Sequence, residues 1–173
     1  MKKCIIGLLI LGFNGIIYSQ NALAITTKNT NTLTSNKTTG LNEQYLDHMA
    51  VKSVAVSVKK LQKLAAKYDI KTQPIYSSNK SITYTVVFQD NENFIKAVYN
   101  YKGTIIRCEE YYTGIKMPYS ISGQLAKEYP GWAFTNISYS IDYSQNKPVV
   151  SAYHVDLKSD KKVKSVRIVP TKE

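Results

Sequence analysis

Cysteine is nearly absent from this chain. Of two cysteines in 173 residues, Cys4 precedes an apolar N-terminal run and Cys108 stands alone in the body. No internal disulfide can then staple the fold. Histidine is equally scarce, with only His48 and His154, so Cys108 has few bases to activate it as a nucleophile and reads as a small buried hydrophobe alternating with Ile106. A Gly-rich phosphate loop and a His-x-Gly-His motif are both missing, which removes the usual signs of nucleotide chemistry. Acidic residues are few, 12 against 23 basic, for a formal charge of +11. Glu109 and Glu110 are neighbours on one strand and face opposite sides, so they cannot serve as a paired acid and base. His154 and Asp156 do share a side, but zinc needs a third protein ligand and none is near.

What is present begins with an address. Met1-Lys2-Lys3 and the apolar run from Ile5 to Ile17 form the charged and hydrophobic regions of a signal peptide, too short and interrupted to span a bilayer. Residues 1–19 are read as the leader, with cleavage as late as residue 24 as the alternative. Cys4 lies before the apolar run, so the mature chain is not a lipoprotein. No other segment could cross a membrane, and the expected destination is the periplasm or the medium. Removing Lys2 and Lys3 leaves +9, spread along the chain with no long basic block.

Residues 20–48 are rich in Thr and Asn without apolar periodicity and read as a flexible spacer with nothing to bury. From Lys52 the pattern changes. Val54, Val58, Leu61, Leu64, Ala65 and Tyr68 mark an amphipathic helix, with Lys52, Lys59, Lys60, Lys63 and Lys67 on its other side. Asp69 to Tyr76 suggests an edge strand limited by Pro74. A three-stranded meander follows: Ile82 to Gln89, Phe94 to Tyr101 and Thr104 to Tyr112. Ile82, Tyr84, Val86 and Phe88 alternate at the strand period, and Gly103 suits the positive φ of a short hairpin. Pro118 opens a helix through Ile121, Leu125 and Tyr129, which Pro130-Gly131 ends. Strands over Trp132 to Tyr143, Val149 to Lys158 and Lys161 to Val169 complete the chain.

The helix ends Leu64-Ala65-Ala66-Lys67-Tyr68 and Leu125-Ala126-Lys127-Glu128-Tyr129 match in part. This predicts two helix-then-meander repeats, about 52–113 and 117–169, within a domain over 49–173. The fold class is α+β, a two-layer sandwich with one antiparallel sheet and both helices on one face.

The order Tyr84-x-Val86-x-Phe88, Val98-Tyr99 before Gly103, Met117-Pro118 opening a helix closed by Tyr129-Pro130-Gly131, then Tyr153-x-Val155-x-Leu157 resembles the PepSY-like proteins with a β-lactamase-inhibitor-like fold. These are small secreted proteins of the Bacteroidetes type. The resemblance covers about Lys52 to Val169 and departs at the end, where an Asp-x-x-Gly turn is replaced by Val169-Pro170-Thr171-Lys172-Glu173. It implies an exported binding or inhibitory module with no established reaction or cofactor.

Fourteen tyrosines, one of them Tyr18 in the leader, are the chain's compositional peculiarity. Tyr84, Tyr99, Tyr139, Tyr143 and Tyr153 fall in phase with apolar neighbours and are assigned to the core, whereas Tyr101, Tyr111, Tyr112 and Tyr119 lack that explanation. If Tyr84, Ile106, Tyr139 and Tyr153 face the helices, alternation puts Thr85, Val87, Ile105, Arg107, Glu109, Tyr111, Phe134, Val150, His154 and Asp156 on the uncovered face. Val87, Ile105, Arg107, Glu109, Tyr111, Phe134, Val150 and His154 are therefore the candidate partner-binding residues. The reading is a binding module for a protein or cell-envelope partner, with no cofactor, metal or catalytic residue assigned. Its rivals are a hydrolase or transferase with an unrecognised site and a binder of anionic polymers. Export disfavours nucleic acid, and a homo-oligomer is the other way to cover the face.

Overall fold

The computed structural model describes residues 22–28, 42–49 and 56–170. Residues 1–19, read from the sequence as a leader, and Lys52 and Val54 of the expected helix lie outside the described residues. The element order is β1 (Ala22–Lys28), α1 (Glu43–His48), α2 (Val56–Lys67), a 3-10 turn (Ile70–Thr72), β2 (Thr83–Asp90), β3 (Asn93–Tyr99), β4 (Ile105–Thr113), α3 (Tyr119–Glu128), β5 (Ala133–Ser144), β6 (Val150–Ser159) and β7 (Lys162–Ile168). The strands form one sheet in the order β1 to β7. From β2 onward every neighbouring pair is antiparallel, and β1 joins β2 in parallel from Ala22 opposite Thr83 to Lys28 opposite Gln89. The fold is therefore α+β around a six-strand antiparallel meander.

Alternation along the strands builds the core. Tyr84, Val86 and Phe88 of β2 lie opposite Tyr99, Ala97 and Ile95 of β3, and all six are fully buried. The same layer continues through Cys108, Glu110 and Tyr112 of β4, Tyr139, Ile141 and Tyr143 of β5, and Tyr153, Val155 and Leu157 of β6. Val58, Leu61 and Ala65 of α2 and Leu125 of α3 belong to the same apolar cluster. Their spacing of three and four residues is what lets one side of a helix meet a sheet. The hydroxyl of Tyr99 donates to the carbonyl of Ala65 at 2.7 Å, tying β3 to the last turn of α2.

The turns follow the local chemistry. Gly103 takes φ +81 between β3 and β4, a conformation that costs an L side chain steric strain. Asn91 and Asn146 carry positive φ at the β2–β3 and β5–β6 connections, as short polar side chains tolerate. Pro118 sits at the N-cap of α3, and the Tyr129 amide closes the far end on the carbonyl of Leu125 at 2.9 Å.

Several expectations are corrected. The Asp69 to Tyr76 stretch is not a strand; Asp69 caps the 3-10 turn by accepting from the Lys71 amide at 2.9 Å. The segment read as a spacer contains α1 and β1. Tyr45 is 1 % exposed, and Asn42 is also buried. Asn42 gives the reason: its amide donates to the carbonyls of Ala66 and Gly103, and its oxygen accepts from the Ile105 amide at 2.7 Å. One polar side chain thus satisfies three buried backbone groups of α2 and the β3–β4 hairpin, a requirement that composition does not reveal.

Candidate functional site

Two polar clusters, one on each side of β4, are the most specific arrangements in the molecule. The inner one surrounds Glu110. Its Oε1 accepts from the Tyr45 hydroxyl at 2.6 Å, and its Oε2 accepts from Gln62 at 2.9 Å and from the Tyr112 hydroxyl at 2.8 Å. The donors come from α1, α2 and β4 itself, so one carboxylate joins both N-terminal helices to the sheet.

Burial raises the pKa of Glu110 above its ordinary value, while the Tyr45, Gln62 and Tyr112 hydrogen bonds pull it back. The same burial, reinforced by the Glu110 charge, drives the Tyr45 and Tyr112 hydroxyls well above the normal phenol range. Both remain protonated donors at any physiological pH. Cys108 lies on the same face two residues earlier and is fully buried. Desolvation first, and then the Glu110 charge, raises its thiol well above the usual range, so it is held as an inert thiol. With three protein donors on its two oxygens and with Glu110 3 % exposed, this cluster organises the fold. It offers nothing for a substrate to reach.

The outer cluster lies on the other face, where the alternate strand residues, apart from the buried Ala152, are half-buried or exposed. Glu109 is bonded by Arg107 at 2.5 Å and by Lys96 of β3 at 3.5 Å. Val98 stands opposite Arg107, and Phe94 stands opposite Tyr111 with the rings stacked at 5.7 Å. Val87 lies opposite Lys96, and Val150 lies opposite Asp142, the β5 neighbour of Glu109. Val150 is 47 % exposed. A row from Val87 through Lys96, Glu109 and Asp142 to Val150 therefore crosses five strands. His154 lies farther along β6, its ring nitrogen 3.0 Å from the Ser140 hydroxyl. Asp156 accepts from Ser165 and Asn136, which lower its pKa.

Six of the eight candidate residues, Val87, Arg107, Glu109, Tyr111, Val150 and His154, thus share this face. Ile105 and Phe134 do not. The β3–β4 ladder shifts register between Val98 and Tyr99, so Val98 faces Arg107 while Tyr99 faces Ile105. Ile106 is the extra residue of this bulge, and Ile105 turns into the core at 1 % exposure. A second shift between Phe134 and Asn136 leaves Phe134 opposite the buried Leu157 and packed against the core. Strict alternation cannot foresee a bulge, because the inserted residue inverts every side chain beyond it. Phe94, Lys96 and Val98 belong to the face and were missed. The alternation of β3 would have placed them there.

Tyr45, Gln62 and Glu110 were missed as well. For Glu110 a signal existed, since it shares a side with Cys108 and Tyr112. A shallow depression elsewhere, along α2, is lined by Lys60, Leu61, Lys63, Leu64, Lys67 and Asp90. Among the described residues no group of three His, Cys, Asp or Glu could hold a metal, and no helix is long and apolar enough to cross a membrane. No family model, curated protein or solved structure matches the chain.

Proposed function

We propose that the chain is an exported binding module of the PepSY-like, β-lactamase-inhibitor-like kind. It holds a protein or cell-envelope partner against the open face of its sheet, with inhibition of that partner as the limiting role. The observation that carries this reading is the composition of the face: the Phe94–Tyr111 ring pair and Val98 lie beside Arg107, Lys96 and Glu109. Aromatic and Arg side chains presented on a rigid scaffold, with charge at the rim, are what protein interfaces use as anchors. Lys96 and Arg107 are balanced by Glu109 and Asp142 within the same patch, so apolar and aromatic contact, and not net charge, would select the partner.

The same reading takes the two halves as repeats with their helices on the opposite face. The order α2, β2 to β4, then α3, β5 to β7 supports it, as does the sharing of one apolar cluster by both helices.

The test is capture from the native envelope fraction at low and high salt, with wild type, Arg107→Ala and Tyr111→Ala. The expected result is a stoichiometric complex, without turnover, that both substitutions abolish while the circular dichroism spectrum stays that of wild type. Normal capture by both variants would sink the reading.

A second reading is favoured by the α2 depression, where Lys60, Lys63 and Lys67 line an apolar floor: binding of an anionic polymer. It requires that charge reversal at Lys60 and Lys63 abolish binding and that affinity fall steeply with salt, as counterion release dictates.

A further inference from the structure

β7 closes one side of the sheet, and no strand pairs with its outer edge among the described residues. An edge of this kind presents a row of unpaired N–H and C=O groups, a template for another strand. Proteins usually blunt such an edge by keeping it short, inserting proline, bulging it or covering it. β7 uses none of these. It is seven residues long, lacks proline and pairs with β6 in unbroken register from Ser159 opposite Lys162 to Tyr153 opposite Ile168. The β3–β4 and β5–β6 ladders, by contrast, each contain a shift.

What β7 does carry is charge. Lys162, Lys164 and Arg167 are its ionisable residues, all of them positive and all exposed. Neither Lys162 nor Arg167 enters an ion pair among the described residues. Lys164 is held in place, donating to the Tyr129 hydroxyl at 2.9 Å and lying over that ring.

Charge as the only safeguard makes the edge selective. A second copy paired in parallel and in register would bring these three cations against their counterparts, and like charges on neighbouring strands repel. An extended segment bearing carboxylates would meet the same edge with backbone hydrogen bonds and opposite charge together. We propose that β7 accepts an acidic extended peptide segment as an added strand. The edge adjoins the open face, since Arg167 lies opposite His154, but it would bind through backbone hydrogen bonds that the face does not use, and the methylated peptide separates the two.

The probe is a fluorescent octapeptide of alternating Glu and Val, titrated into the full chain at low and physiological salt. Saturable one-to-one binding is expected, weakened about tenfold by Lys162→Glu with Arg167→Glu and lost when every peptide backbone nitrogen is methylated. Lys71→Glu with Lys80→Glu, two reversals away from β7, should leave affinity within about twofold of wild type. Undiminished binding of the methylated peptide would reduce the interaction to charge attraction and overturn the proposal. Equal weakening by the Lys71 and Lys80 reversals would also overturn it. Sedimentation that shows a stable dimer insensitive to the peptide would assign the edge to a second copy instead. Should the double reversal fail to fold, Lys162→Gln replaces it, and unchanged peptide affinity in that variant counts against the site.

Discussion

Tyr45 donates its hydroxyl to Glu110 at 2.6 Å across 65 positions of sequence, and both side chains are buried. The contact fastens a six-residue helix, too short to be stable alone, onto the middle of the sheet. It also supplies one of three donors to a carboxylate that has lost its water.

Tyr45→Phe removes that donor and keeps the ring. Stability should fall by about 1 to 3 kcal/mol, the range for leaving a buried polar group short of a partner. Urea denaturation followed by near-ultraviolet circular dichroism measures it. A loss near zero would mean that α1 is held by its apolar contacts alone.

Glu110 predicts a pH dependence whose sign is set by burial. Its folded pKa is raised above the reference value of 4.5, so the folded state binds this proton more readily than the unfolded chain. The contribution to stability is fully present below the unfolded value and is lost as pH rises through the folded one. The stability of wild type minus that of Glu110→Gln should therefore decline with pH upward from about 4.5 and then level off. Denaturation midpoints of the pair between pH 4 and pH 8 provide the check, and a difference that grew with pH would reverse the assignment.

Leu61 and Leu125 are each 2 % exposed on different helices. Leu61→Ala and Leu125→Ala should each cost about 2 to 5 kcal/mol through lost burial and a residual cavity. A negligible effect at either position would detach that helix from the core.

Cys108 should react slowly with thiol reagents in the native state and rapidly in denaturant, because it is inaccessible and its thiol is held protonated. Cys108→Ser should preserve partner capture while lowering stability, since a hydroxyl in that apolar layer must find a new hydrogen bond. Fast labelling of the folded chain would require an opening at the centre of the sheet.

Much of the architecture is local and was open to sequence reasoning. The alternation of Tyr84, Val86 and Phe88, the Leu61 to Tyr68 stripe, Gly103 in its turn and Pro118 before α3 all follow from periodicity and backbone sterics acting over a few residues. Their elements appear within a few residues of the expected bounds. The same alternation correctly separates Glu109 from Glu110, and it places Val87, Arg107, Tyr111 and His154 together. Ile105, Phe134, Asn42 and Tyr45 were decided only by the tertiary structure. For Ile105 and Phe134, a bulge inverts the facing of a strand, and the pairing partner determines where the bulge falls. For Asn42 and Tyr45, a polar segment without periodicity is drawn inside because buried groups on distant elements, the Ile105 amide and the Glu110 carboxylate, need hydrogen-bond partners. Periodicity records which side chains avoid water, but only the assembled core determines which polar groups must be satisfied within it.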